Sequence, residues 1–161
     1  MPREWRCGMG LDVHAFTPDR NLILGGVQIP HDLGLMGHSD ADVLVHVVMD
    51  ALLGACGLGD IGLHFPDTDA RYKDISSLKL LSIVKERIKE ASYSIGNIDV
   101  TVIAEKPKIA PYIKEMKFNL AEVLEIDETQ INIKGTTTEK LGFCGRKEGI
   151  AATATATVYR I

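Results

Sequence analysis

Asp12 and His14 stand two residues apart in a segment with strand character, and His46 falls later in a helical one. Side chains alternate along a strand, so Asp12 and His14 point to the same face. Two imidazoles and one carboxylate suit a zinc ion whose fourth position stays open, and an open position is what substrate needs. An Asp-x-His spacing is nevertheless common by chance. Asp42, His46 and Asp50 lie at i, i+4 and i+8 and form a polar stripe on one helix. That stripe reads equally as a solvated face or as acids that hold the His46 tautomer. The run His38-Ser39-Asp40-Ala41-Asp42 precedes the helix. Ser39 or Asp40 can cap it, and His38 adds a polar donor near a metal.

A second group gathers further on. Thr136-Thr137-Thr138-Glu139-Lys140-Leu141-Gly142-Phe143 follows a strand, and its hydroxyls and backbone amides can cradle phosphate oxygens. Glu139 suits a hard cation shared with phosphates, and Arg146 offers a bidentate clamp. A threonine-capped turn is the plainer account. Ala104-Glu105-Lys106-Pro107-Lys108-Ile109-Ala110-Pro111 is a rigid loop with two lysines that could enclose a base, although a Lys-Pro loop before a helix is common. Asp60-Ile61-Gly62 and Phe65-Pro66-Asp67-Thr68-Asp69 could meet sugar hydroxyls and act as a lid, or be a surface loop with Asx-turns. His31 and His64 belong to no constellation. No convincing Ser-His or Cys-His pair is present.

The elements that must position these residues follow from periodicity. Arg6 to Phe16 reads as a strand whose glycines at positions 8 and 10 permit close approach. Leu22 to Leu24 and Val27 to Ile29 flank Gly25-Gly26, a hairpin signal. A helix begins at Asp40 or Asp42 and runs to about Cys56, with Gly57 as its stop. Leu58 to Ser76 is a long loop of the kind that often carries function. Ser77 to Ser92 is an amphipathic helix with Leu80, Leu81, Val84 and Ile88 on one side. Asp99 to Ala104 is a strand, Pro111 to Leu124 a helix, and Ile131 to Lys134 a strand. Ala151 to Tyr159 alternates at period two and predicts a two-faced strand. Its alanines allow another layer to approach, either the chain's own helices or another subunit.

The chain has 161 residues, is 45% hydrophobic and carries a net charge of −4. This suits one domain over 1–161 with a proper core. Strands joined through helices predict an α/β fold with a mixed sheet. The acidic balance argues against nucleic acid as partner. No apolar run is long enough to span a bilayer, and Met1 to Gly10 lacks the apolar stretch of a secretory leader. The expected compartment is the cytosol; a mature form that has lost a transit segment stays open. Cys7, Cys56 and Cys144 are far apart and odd in number, and read as reduced thiols without chemistry.

Several of these segments occur in a fixed order. They are Gly10-Leu11-Asp12-Val13-His14, His38 to Asp42, His46 on its helix, Gly59-Asp60-Ile61-Gly62, Phe65 to Asp69, Lys106-Pro107-Lys108, and Thr136 to Phe143. Together they span nearly the whole chain and resemble the 2-C-methyl-D-erythritol 2,4-cyclodiphosphate synthase family. The resemblance implies an α+β sandwich with a mixed sheet and helices on one face, a ferredoxin-like arrangement assembled as a homotrimer with active sites between subunits. It implies a lyase of non-mevalonate isoprenoid synthesis that cyclises 4-diphosphocytidyl-2-C-methyl-D-erythritol 2-phosphate and releases CMP. Asp12, His14 and His46 are expected to bind zinc. Glu139 is expected to help hold magnesium or manganese with the diphosphate. His38 and Thr137 would stabilise the transition state. Asp60, Ile61 and Gly62 would meet the methylerythritol, with Ser39, Phe65, Asp67 and Asp69 beside them. Ala104, Pro107, Lys108, Ile109 and Ala110 would line the cytidine pocket, and Thr136, Thr138, Phe143 and Arg146 would complete the substrate contacts. Leu11, Ala41 and Leu63 depart from residues frequent in the family, and none is an expected ligand.

Overall fold

The computed structural model describes residues 4–161, so the N-terminal stretch is described only from residue 4 onward. Strand β1 (Trp5–Thr17) runs antiparallel to β7 (Gly149–Arg160), which runs antiparallel to β5 (Tyr93–Ile103). Strand β6 (Ile131–Thr136) pairs in parallel with β5, and the short β4 (Gly34–Leu35) edges β1. The five-stranded sheet is therefore mixed, in the order β4-β1-β7-β5-β6. A separate hairpin joins β2 (Leu22–Leu24) to β3 (Val27–Ile29) through Gly25-Gly26, as their pattern predicts. The expected mixed α/β layering, with helices on one face, is what the chain adopts.

Helix α1 (Val43–Cys56) is apolar around most of its circumference, so burial rather than amphipathicity drives it into the centre. Gly57 ends it in a left-handed conformation at φ 71°. It lies over β1 and β7, where the chain has removed side chains to admit it. A Cβ on Gly8 would stand 2.1 Å from the Ala51 carbonyl oxygen, and one on Gly10 2.2 Å from that of Val47. Ala152, Ala154 and Ala156 of β7 are buried beneath the helical layer. The alanine face thus serves the chain's own helices. The threonine face looks away from them, beside exposed Trp5, Met9, Leu11 and Val13 of β1.

Helix α3 (Ser77–Glu90) buries Leu80, Leu81, Val84 and Ile88, the predicted stripe. Helix α4 (Ile113–Leu124) buries Met116, Leu120, Ala121 and Leu124. Most element bounds shift by a few residues from the sequence expectation, and β5 and two short helices differ more. Strand β5 starts at Tyr93 rather than Asp99, because an irregularity between Ile95 and Asn97 breaks the period-two pattern there. The long loop holds a helical turn, α2 (Ile61–His64), and Gly142–Gly145 forms another, α5; both are too short for a periodic signal.

Candidate metal centre and adjoining cavities

The close packing of α1 on β1 sets His46 opposite Asp12 and His14. The Asp12 Oδ2 atom lies 2.9 Å from His14 Nε2 and 3.1 Å from His46 Nδ1, and the two nitrogens are 3.2 Å apart. Among the described residues these three are the one group of acids, histidines and cysteines arranged to hold a metal ion. Tetrahedral zinc with ligands at roughly 2.0–2.1 Å separates neighbouring ligand atoms by about 3.3 Å, so the spacing fits.

The hydrogen bonds behind the imidazoles agree. A carbonyl oxygen only accepts, so His14 Nδ1–H donates to Met36 O at 2.5 Å and leaves Nε2 facing the site. His46 turns Nε2 to the hydroxyls of Ser39 and Ser77, each at 3.1 Å, and leaves Nδ1 facing it. One carboxylate oxygen and two imidazole nitrogens therefore converge, a donor set that suits a cation. Without metal, protons compete. Burial alone would raise the Asp12 carboxyl, but the imidazole hydrogen bonds outweigh it and hold Asp12 well below the usual carboxylate range. Burial disfavours charge on His14, and Asp12 reverses this and raises the imidazole above its ordinary value.

The polar stripe on α1 proves to be neither a solvated face nor a set of acids that orient His46. Asp42 is fully buried. Its Oδ1 accepts from Gly25 N–H and Val45 N–H, and its Oδ2 from Gly26 N–H, so it caps α1 and ties the hairpin to it. Burial, then the nearby Asp40 charge, push its carboxyl up to about 6. Asp50 accepts from Ile61 N–H and pins α2. The His46 partners are serines instead. Ser77, at the start of a different helix, could not be connected to His46 from sequence spacing.

A cavity of about 480 Å³ opens beside the three ligands, lined by His38, Ser39, Ile61, Gly62, Phe65 and Asp67 among others. His38 Nε2–H donates to Asp69 O. Asp60 caps α2 by accepting from Leu63 N–H. His64, which the sequence left unassigned, donates from Nε2 to Leu58 O at 2.6 Å and accepts from Arg87 at Nδ1. Phe65 meets Tyr72 edge-on at 5.3 Å. The loop is thus clasped rather than loose. Asp69 is engaged by Arg71, which holds its carboxyl below the usual range.

A separate cavity of about 200 Å³ lies at the β5–β6 end and is lined by Ala104, Pro107, Lys108, Ile109, Ala110, Thr136 and Thr137 among others. Glu105, which the sequence did not single out, accepts from Thr138 N–H and Lys140 N–H and sets the threonine turn beside this cavity. Glu139 accepts from Thr137 Oγ1 at 3.4 Å and is not part of the metal triad. Thr138 Oγ1 donates to Leu141 O. Phe143 is exposed, and Arg146 pairs with Glu148 at 3.1 Å. Within one chain, the fold brings Asp12, His14 and His46 together with Ser39, Ile61, Gly62, Phe65 and Asp67, and the expected cytidine contacts with Thr136 and Thr137, in two cavities that share no lining residue; Asp60 and Asp69 line neither of them.

Cys7, Cys56 and Cys144 are free thiols, and burial pushes Cys56 up to about 11. No helix among the described residues is long and apolar enough to cross a membrane.

Residues 5–159 match the YgbB family. Among curated relatives, the 2-C-methyl-D-erythritol 2,4-cyclodiphosphate synthase of Lachnospira eligens is 62% identical over 149 residues, which are 92% of this chain and 81% of the relative. That of Bacillus subtilis is 57% identical over 156 residues, 97% of this chain and 99% of the relative. Among solved structures, a CDP complex of IspF from Plasmodium falciparum superposes with a TM-score of 0.86 at 37% identity, covering 99% of both chains. The bifunctional IspDF of Campylobacter jejuni gives a TM-score of 0.96 at 46% identity. This chain covers 43% of that longer one, so it matches a part of it.

Proposed function

The chain belongs to the YgbB family, and from that premise we propose that it converts 4-diphosphocytidyl-2-C-methyl-D-erythritol 2-phosphate to 2-C-methyl-D-erythritol 2,4-cyclodiphosphate with release of CMP. The relatives named as synthases of this cyclic diphosphate support the reading, as does the CDP-bound IspF structure. The observation that carries it is the convergence of Asp12 Oδ2, His14 Nε2 and His46 Nδ1 in the lining of a cavity sized for a small ligand.

The reaction is an intramolecular phosphoryl transfer. The 2-phosphate oxygen attacks the β-phosphorus, the bond to the CMP phosphate breaks, and CMP leaves; in class this is a phosphorus-oxygen lyase. Asp12, His14 and His46 would hold zinc, and Glu139 would help hold magnesium or manganese with the diphosphate. Bound divalent cations supply Lewis-acid neutralisation of two anionic partners. The chain's own work is to fold the substrate back on itself, and well-oriented intramolecular reactions draw roughly 7–11 kcal/mol from such positioning. Asp60, Ile61 and Gly62 would seat the methylerythritol, with Ser39, Phe65, Asp67 and Asp69 around it. Ala104, Pro107, Lys108, Ile109 and Ala110 would take the cytidine, and Thr136, Thr138, Phe143 and Arg146 would add phosphate contacts. His38 and Thr137 would donate to charge developing on phosphate oxygens. No protein nucleophile is required.

The two half-sites occupy separate cavities of one chain, which supports an active site completed by a neighbouring copy. A homotrimer built on the open sheet face would cover Trp5, Met9, Leu11 and Val13, which are 47–69% exposed in the single chain. The bacterial relatives and the lack of a membrane-spanning helix among the described residues support a cytoplasmic enzyme.

Chromatographic measurement of CMP release tests the proposal. The parent chain should release CMP from the cytidylated substrate, and His46→Ala should lose zinc and most turnover while keeping the fold. Normal turnover in that variant would remove the metal assignment.

A further inference from the structure

We propose that Asp40 and Ser77 form a positioning pair that fixes the tautomer of His46 and so sets the metal affinity of the Asp12–His14–His46 site. The inference rests on the metal-site reading above and extends it to two residues outside the ligand set.

Ser77, the first residue of α3, is fully buried. Its hydroxyl donates to Asp40 Oδ1 at 2.5 Å, and its backbone N–H donates to Asp40 Oδ2 at 2.9 Å. An ionised carboxylate only accepts, so the single Ser77 hydroxyl proton is committed to Asp40. Asp40 Oδ1 also accepts from Asp42 N–H at 3.1 Å, which holds the carboxylate in place from the other side. The Ser77 oxygen therefore presents a lone pair to His46 Nε2, 3.1 Å away. Nε2 must carry the proton, and Nδ1 is left bare toward Asp12 and His14. Ser39 Oγ shares the same Nε2–H at 3.1 Å while accepting from Ala41 N–H, so it reinforces the tautomer without committing a proton of its own.

The pair also spans three elements: α1 through His46, α3 through Ser77, and the turn that carries His38 and Ser39 through Asp40. Asp40 N–H donates to Ile75 O at 3.1 Å and Asp74 N–H to His38 O at 2.8 Å, which laces that turn to the start of α3. A hydrogen-bond partner behind a metal-binding imidazole orients the ring and raises its basicity, and its loss typically weakens metal binding about 10–100-fold.

The test is zinc affinity of the full chain by competition with a chromophoric chelator, with the visible spectrum of the cobalt-loaded protein as a second readout. Ser77→Ala should bind zinc about 10–100-fold more weakly and shift the cobalt bands. Ser77→Thr, which retains the hydroxyl, should restore both. Ser77→Ala with parental zinc affinity and cobalt spectrum overturns the proposal, even if its melting temperature falls, because a purely structural role predicts that pattern. A parent chain that binds neither metal removes the metal reading and the proposal with it. If Ser77→Ala does not fold, nitrogen-proton NMR of the zinc-loaded parent decides. A slowly exchanging His46 Nε2–H supports the pair, and one exchanging like an exposed imidazole overturns it.

Discussion

Gly10→Ala places one methyl group between the strand that carries Asp12 and His14 and the helix that carries His46. The new Cβ would lie 2.2 Å from Val47 O and 3.0 Å from Val47 Cα, where ordinary contact begins at 3.4 Å. Strand and helix must separate locally by about 1.2 Å, the difference between 3.4 and 2.2 Å. The clashing atoms are backbone, so no rotamer change relieves them. Overpacking of this kind costs typically about 1–3 kcal/mol, and the lack of a flexible neighbour argues for the upper end. For a domain of this size that lowers the melting temperature by about 6–12 °C. His46 adjoins Val47, so the same separation pulls His46 Nδ1 away from Asp12 Oδ2, now 3.1 Å distant. Zinc affinity should fall along with stability. Thermal unfolding with and without zinc, together with chelator competition, reads both effects. A melting temperature within about 2 °C of the parent and an unchanged zinc affinity would refute the claim that glycine-mediated contact builds the site.

Two further outcomes are expected. Asp42 has a folded-state value near 6 against an ordinary 3.8. Its stabilising contribution is therefore complete below pH 3.8 and is lost as pH rises through about 6, a loss on the order of 3 kcal/mol. Asp42→Asn should flatten the fall in unfolding free energy between pH 4 and 7 measured by urea titration, and identical pH slopes would contradict this. Lys108→Ala should weaken CDP binding by about 2–5-fold in calorimetry, the scale of one exposed charge; unchanged affinity would move the base elsewhere.

Much of this architecture is legible in the residues. The Gly25-Gly26 hairpin, the Gly57 stop and the alternation of the last strand are local signals, and local signals survive folding intact. Asp12 and His14 could be placed on one face from strand geometry alone. What escaped were contacts closed by tertiary packing. Ser77 reaches His46 across 31 residues, and Glu105 reaches the threonine turn across 33; neither distance has a periodicity. The Asp42–His46–Asp50 spacing predicts one polar stripe, but burial reverses its meaning. On a buried helix, acids serve backbone amides that have no water, so Asp42 and Asp50 hold the hairpin and α2 instead of the imidazole. The early part of β5 was hidden by the irregularity at Ile95 to Asn97, which shifts the alternating pattern by one residue.

The most direct test is phosphorus NMR of the purified protein with 4-diphosphocytidyl-2-C-methyl-D-erythritol 2-phosphate and magnesium, recorded before and after chelation. Cyclic diphosphate and CMP should appear in equal amounts, and their formation should cease when metal is removed. A linear phosphate product would mean that water, not the substrate's own phosphate, is the nucleophile, and would contradict the proposed cyclisation.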